Sequence, residues 1–392
     1  MSATLREPDQ SESTIAERLW DRAGRWHGVG VAVWILVASR FAQLVLLVLL
    51  DHATDEPAGL RSNLLIWDGG WFQRVAEGYP SGYTYGTDGT LQGNELAFFP
   101  LYPMLIRLLS TLGLHPGTAA LTVSWLASIG AAVALHLLGT SLYGRRAGWA
   151  LVAICCTAPM SVVLSMAYSE SLFLALVAGM FVAAHRQVWW AAGLLGLGAA
   201  LTRPTGAAAA VALAVAAVLA VRRHPERKWQ PLAAAAVALA GVPAYLGWVA
   251  WRVGDLDAWF RIQTAGWGTS FDFGASTVDF LGRTLTVGEG WVPMSVALIL
   301  LAALAAAGVA LAGRPWLPLA VSGLVAMVLA YGQAGFYHSK PRLLLPVLLT
   351  LLPSVVAAAR ARPRVAVLAI AAWAAFGLWY GAYLVAVWPY TI

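Results

Sequence analysis

The polarity of the chain changes abruptly near residue 29. Residues 1–28 are polar and carry Arg18, Arg22 and Arg25, whereas 29–50 are mostly apolar, with Arg40 among them. About 20 apolar residues cross the hydrocarbon core of a bilayer, so this run predicts a first membrane-spanning helix. It is too long for the apolar part of a signal peptide, and no A-x-A cleavage site follows it. Similar runs recur at 117–143, 147–163, 166–184, 188–202, 205–221, 230–252, 291–312, 316–333, 341–359 and 364–387. Together they predict about eleven crossings. The stretch 98–113 is apolar but short, and Pro100 and Pro103 interrupt it, which predicts an in-plane or re-entrant helix.

Composition agrees with this pattern. The chain is 60% hydrophobic and 11% charged, against about a quarter charged in soluble domains. That excludes a water-soluble enzyme, a disordered protein and a disulfide scaffold. The net charge of +6 would suggest nucleic acid in a soluble protein, but here the rule that cytoplasmic loops are basic applies first. With the N-terminus inside, the inside segments sum to +9 and the outside to −4, with Arg40 in the first span. Every short inside loop is basic, which predicts a cytoplasmic N-terminus, an outside C-terminus and no nucleic-acid partner. The organisation expected is a cytoplasmic segment over 1–28 and one transmembrane domain over 29–392. Its long loops, 51–116 and 253–290, lie outside, where nucleotide sugars are scarce. No repeat of 20–50 residues is visible. The adjacent Cys155 and Cys156 cannot easily pair and say nothing of redox compartment. The Ala-rich runs are read as membrane helices with small residues for close packing.

The first outside loop carries W-D-G-G-W-F-Q-R-V-A-E-G-Y at 67–79 and N-E-L-A-F-F-P-L-Y-P at 94–103. Asp68 begins a segment with helical spacing of Trp71, Val75 and Tyr79. Trp67, Trp71, Phe72 and Tyr79 would anchor that helix at the membrane interface. Asp68 could act there as a general base or simply cap the helix, and the two are compatible. Glu170, in Y-S-E-S-L-F at 168–173, sits near the outer end of a span; an ionisable residue there serves function, pairing or a helix cap. Arg203 in T-R-P-T-G, and Lys340 and Arg342 in H-S-K-P-R, run against the positive-inside bias. They could hold a phosphate or snorkel to lipid head groups. Asp255 and Asp257 form a D-L-D that could hold a divalent metal; a solvated loop is the favoured reading. No zinc motif and no Walker phosphate loop is present.

Five blocks in order, W-D-G-G-W-F-Q-R-V-A-E-G-Y, A-F-F-P-L-Y-P-M-L-I-R, Y-S-E-S-L-F, L-T-R-P-T-G and P-R-L-L-L-P-V-L-L-T-L-L-P, resemble the PIG-V-type mannosyltransferases. The resemblance spans about residues 29–360, and the ordered set is far more specific than any one block. It implies a GT-C-like fold: an all-α polytopic membrane protein with in-plane helices in the first outer loop and a catalytic loop on the non-cytoplasmic side. It implies a polyprenyl-phosphate-sugar donor, typically of mannose, and a catalytic carboxylate that falls on Asp68. Gly69 and Gly70 leave no polar group beside Asp68, and Thr205 stands where many members seem to carry Asn. Short loops and an Ala- and Arg-rich composition suggest a bacterial plasma-membrane protein.

The expected reaction is inverting transfer to a glycolipid or glycan acceptor. Asp68 acts as base, and Arg203 with Arg342 or Lys340 stabilises the leaving phosphate. Glu170, Glu95, Trp67, Trp71 and Tyr168 are candidates for substrate binding. A monophosphate leaving group needs no metal cofactor. The alternative is a transporter or flippase of lipid-linked sugars, for which related halves and helices broken near the midplane would be expected; a non-catalytic membrane subunit is the third.

Overall fold

The computed structural model describes residues 15–288 and 290–391. The expected cytoplasmic segment up to residue 14, with Arg6, lies outside the described residues. The elements are α1 (Ile15–His52), α2 (Leu60–Leu65), α3 (Asp68–Glu77), a hairpin of β1 (Thr84–Tyr85) and β2 (Leu91–Gln92), α4 (Leu101–Thr111), α5 (Pro116–Tyr143) and α6 (Arg145–Cys156). There follow α7 (Glu170–His185), α8 (Trp189–Ala200), α9 (Gly206–Arg223), α10 (Trp229–Val253), α11 (Ala258–Trp267) and α12 (Ala275–Thr286). The chain then forms α13 (Trp291–Ala312), α14 (Leu317–Gly332), α15 (Lys340–Leu344), α16 (Leu348–Arg360) and α17 (Pro363–Ala386).

This is an all-α, multi-pass membrane protein. Among the described residues, six helices are long and apolar enough to cross a bilayer: Trp26–His52 within α1, and α5, α9, α10, α13 and α17. The stretch Tyr337–Leu344 and α16 meet at a 56° bend and qualify together as a seventh. The helices α7, α8 and α14 are apolar but shorter. Each of the eleven expected stretches therefore contains a helix, but length alone supports six or seven crossings. The polar segment before residue 29 is not separate from the first span, because α1 already begins at Ile15. The expected in-plane helix at 98–113 is α4, with Pro100 at its N-cap position. Two helices in the second long loop, α11 and α12, were not foreseen.

Small residues bring the short helices close to their neighbours. A Cβ on Gly193 or Gly196 of α8 would lie 2.9 Å from Ala234 Cα or 2.8 Å from Ala238 Cβ of α10. This is the close packing that small residues permit in membranes, where apolar surface gives no drive to associate. Buried Leu47, Leu135, Met160, Phe181, Leu300 and Tyr380 belong to one large core. A smaller cluster fastens α3 and α4 to α5 through Phe72, Tyr102, Ile106 and Ala120. A third ties residues 96–99 to α10 and α11 through Leu96, Phe99, Tyr245 and Ile262.

The main departure from the expected spans lies at 147–169. The helix α6 ends at Cys156, Met160 takes a left-handed conformation with φ 70°, a 3-10 turn covers Ser161–Leu164, and α7 starts only at Glu170. Non-helical backbone at membrane depth requires partners for its carbonyls, and the neighbouring helices supply them. Arg40 of α1 donates to Cys156 O, to Ser161 O at 2.5 Å and to Ser165 Oγ at 3.3 Å. From α5, Ser128 donates to Leu164 O at 2.8 Å, Trp125 to Ser165 O at 3.1 Å, and Ser124 to Tyr168 O at 3.0 Å. The helix α17 approaches so closely at Gly377 that any Cβ would collide with Thr157 O. Arg40 is thus a structural charge that satisfies a broken helix.

Arg40→Leu should keep the apolar contacts and orphan two buried carbonyls, at about 1–3 kcal/mol each. The expected result is a lower thermal unfolding midpoint in detergent. An unchanged midpoint would show that the break is held by α5 alone.

Candidate active site

A cavity of about 460 Å³ is lined by Trp67, Asp68 and Phe98 from the α1–α5 connection, and by Ser169 from that between α6 and α7. Arg203 and Thr205 enter it from the α8–α9 connection, and Gln263 and Trp267 from that between α10 and α13. Gln333, Lys340 and Arg342 come from between α14 and α16, and Thr391 follows α17. In a chain that crosses eleven times, these six connections fall on one face. A second cavity, of about 440 Å³, is lined by His185, Arg186, His224 and Gln230 from the α7–α8 and α9–α10 region. Those connections fall on the other face in the same count.

Asp68 is the first residue of α3, not its cap. The cap position is Trp67, held at φ 56°, and it makes no side-chain capping bond. A carboxylate at a helix N-terminus is favoured by the macrodipole. Its oxygen Oδ2 lies 2.8 Å from Arg342 Nη1. Arg342 also places Nε 3.7 Å from Glu170 Oε1 and lies over the Tyr168 ring, 5.3 Å from its centroid. Glu170 starts α7 in the same way and is 2% exposed. Its Oε1 is 2.6 Å from Arg203 Nη1, which also donates to Ser169 Oγ at 3.1 Å. Two carboxylates and two guanidinium groups, predicted separately from four sequence blocks, thus form one chain: Asp68, Arg342, Glu170, Arg203. Glu170 and Tyr168 are buried beneath the cavity and do not line it.

Lys340 lines the cavity, but its ammonium donates to Ala330 O at 3.0 Å and Gln333 O at 2.5 Å, closing the end of α14. Glu95 pairs with Arg74 at 3.2 Å and is not part of the lining. Trp67 and Trp71 line the cavity, Phe72 is buried against Tyr102, and Tyr79 donates to Phe98 O at 2.9 Å. These aromatics therefore face protein and cavity, correcting the expectation of a membrane anchor. The protein interior offers them rings and a carbonyl to pack on.

Asp255 accepts from the Tyr83 hydroxyl at 2.6 Å, from Asp257 N at 2.9 Å and from Arg261 at 2.8 Å. The Tyr83 hydrogen bond, with these others, holds the Asp255 carboxyl below the usual range. Desolvation and the Asp255 carboxylate push Tyr83 up to about 12. So D-L-D is not simply a solvated loop, because Asp255 ties the second long segment to the first. Among the described residues, no cluster of three or more His, Cys, Asp or Glu is arranged to hold a metal ion.

Sequence reasoning missed Trp259, Gln263 and Trp267 of α11, and the Gln333 backbone that pairs with Phe271 in an isolated bridge. The signal available was the W-F-R-I-Q-T-A-G-W run at 259–267, whose two tryptophans are eight positions apart. Glycine carries the join to the first loop: a Cβ on Gly93 would lie 2.5 Å from Gly266 Cα.

Glu170→Leu should cost about 3–5 kcal/mol of stability, because Arg203 stays largely buried without its counter-charge and Arg342 keeps only Asp68. Glu170→Leu combined with Arg203→Leu should be less destabilised than the sum of the single changes, measured by thermal unfolding in detergent. Simple additivity would rule out the coupling.

Comparison with known proteins bears on the same residues. None of the curated proteins matches the chain. Residues 50–215 match the family model described as mannosyltransferase (PIG-V), a segment that includes Asp68, Glu170 and Arg203. Over that segment the chain is similar to the PIG-V mannosyltransferases, and with its apolar helices this similarity supports a membrane glycosyltransferase.

Proposed function

We propose that the protein transfers mannose from a polyprenyl-phosphate-mannose donor to a hydroxyl of a lipid or glycan acceptor, with inversion, on the non-cytoplasmic face of a bacterial plasma membrane. The observation that carries this reading is the Asp68–Arg342 pair at 2.8 Å on the cavity wall, backed by the buried Glu170–Arg203 pair. A base and a phosphate-binding cation are the two groups that such a transfer needs most. The convergence of six connections on the cavity supports eleven crossings, and the basic character of the other connections supports a cytoplasmic N-terminus and with it a cavity on the outer face.

In the proposed step, Asp68 takes the proton of the acceptor hydroxyl as that oxygen attacks the anomeric carbon. The bond from that carbon to the phosphate oxygen breaks on the opposite side, and polyprenyl phosphate leaves with the electron pair. Arg203 and Arg342 stabilise the charge that develops on it, which is worth most in a site shielded from water. Lys340 has one ammonium hydrogen left after its two carbonyl bonds and stands as a third phosphate contact. A monophosphate leaving group demands no metal clamp, so the proposal assigns no divalent ion to Asp255 and Asp257. Trp67 and Trp71 line the substrate space, Glu170 and Tyr168 support the arginines from below, and Glu95 acts through Arg74 at the edge.

General-base catalysis contributes about 10²–10⁴-fold. Purified Asp68→Asn protein should therefore turn over radiolabelled polyprenyl-phosphate-mannose more slowly by that order, while remaining folded. Arg203→Ala and Arg342→Ala should mainly lower kcat/KM for the lipid-phosphate donor. Near-normal turnover in Asp68→Asn removes the base from its role. Label crossing sealed vesicles without a new glycoside would replace the enzyme with a flippase.

A further inference from the structure

The cavity lining combines two kinds of side chain: the charged Asp68, Arg203 and Arg342, and the rings of Trp71, Phe98 and Trp267. Trp71 stacks on Phe98, with centroids 5.6 Å apart and planes 20° apart, and the Arg74 guanidinium lies 3.9 Å from the Trp71 ring centroid. Trp71 is therefore occupied as a support. Trp267 meets Trp71 at 5.2 Å and 63°, and Phe98 at 5.3 Å and 82°, and among the described residues no ring lies parallel on it. Its position is defined on both sides. Gly268 closes α11 in a left-handed conformation just after it, and Gly266 just before it touches Gly93 so closely that neither tolerates a Cβ.

We propose that Trp267, braced by Trp71 and Phe98, is the platform on which the acceptor's sugar ring lies. This rests on reading the cavity as a glycosyl-transfer site. A pyranose presents a patch of weakly positive C–H groups on one face, and an indole presents a negative π face to it. Asp68 and Trp71 are separated by three residues on α3 and both line the cavity. Residues so spaced on a helix stand about 5–6 Å apart at Cβ, and Trp267 packs on Trp71 and lines the same cavity as Asp68, so the base and the platform share one space. Gln263 also lines the cavity. Its amide nitrogen donates to Ala97 O at 2.9 Å, which orients the amide and leaves its oxygen to accept from a sugar hydroxyl. The prenyl chain of a donor is a poor occupant, because all three rings come from loop segments and none from the six long apolar helices. The acceptor class implied is a glycan or glycolipid with a terminal pyranose, not a bare protein hydroxyl.

The test is saturation-transfer NMR on the purified full chain, with methyl α-mannoside, methyl β-glucoside and methyl β-galactoside as probes. The wild type should pass saturation to the ring C–H protons of at least one of them. Trp267→Ala should weaken that glycoside's binding about ten-fold, while Trp267→Phe should keep most of it. An unchanged far-UV circular dichroism spectrum and gel-filtration profile in detergent shows that Trp267→Ala is folded. No ring signal with any glycoside on the wild type overturns the proposal. So does a Trp267→Ala variant that loses donor affinity and keeps the glycoside. A wild type that binds glycoside but never consumes the donor would instead overturn the mannosyl-transfer reading and leave the platform standing.

Discussion

A carboxylate withdrawn from water is tolerated only when it is paired, and Glu170, at 2% exposure, is the most constrained charge of the site. Its position at the start of α7 places it below the cavity, where Arg203 reaches it from the α8–α9 turn and Arg342 from α15. Arg342 in turn reaches Asp68 on α3. One buried negative charge thus determines where two arginines from distant parts of the sequence must stand, and one of them meets the candidate base. Removing Arg203 or Arg342 would disturb more than one contact, because both share Glu170.

Glu170 owes its own position to a break in the helical backbone. Had residues 147–184 continued as regular spans, the start of α7 would not lie beside α3. The break at Cys156 exposes carbonyls at a depth where water is scarce, and Arg40, Ser124, Trp125 and Ser128 satisfy several of them. The same segment supports α3: Ala167 N donates to Leu64 O at 2.8 Å, and a Cβ on Gly69 would lie 3.3 Å from Ala167 Cβ. Arg40 and Glu170 are thus linked through backbone, although they have no direct contact. The structural charge keeps the break in place, and the break presents the carboxylate of the candidate site.

Much of this was legible in the sequence. The apolar runs marked where helices lie, because a bilayer demands long apolar stretches whatever their partners. Asp68 stood out because charge is scarce in such a chain and it lies in the W-D-G-G-W-F segment, and Arg203 and Arg342 because they also oppose the positive-inside bias. What could not be read was geometry that depends on partners. Hydropathy sees Cys155–Leu164 as one apolar run, since the groups that satisfy its broken backbone are Arg40 and three α5 side chains far away in sequence. Phe72 and Trp71 looked like interface anchors because composition cannot tell a ring facing lipid from one facing Tyr102 or Trp267. Asp255 looked like a loop carboxylate or metal ligand because its partners are Tyr83, far upstream, and Arg261, six residues on. The role of α11 was hidden because a helix of ten residues leaves no mark on a membrane-length scan.

Crossing number shows the same limit from the other side. A helix of twelve residues such as α8 is about 18 Å long, well short of a hydrocarbon core of about 30 Å. Length alone would exclude it as a span. Yet α8 is held against α10 through Gly193 and Gly196, and its flanking turns lead to opposite cavities: Arg186 before it to one, Arg203 after it to the other. In a bundle this crowded, a short helix need not face lipid along its whole length, because neighbouring helices satisfy what the bilayer would not. The side on which each connection emerges is then better evidence for a crossing than the hydropathy of the segment between. The net charge of +6 has the same structure: Asp68 and Glu170 balance Arg203 and Arg342, so apart from Lys340 the excess lies away from the candidate site.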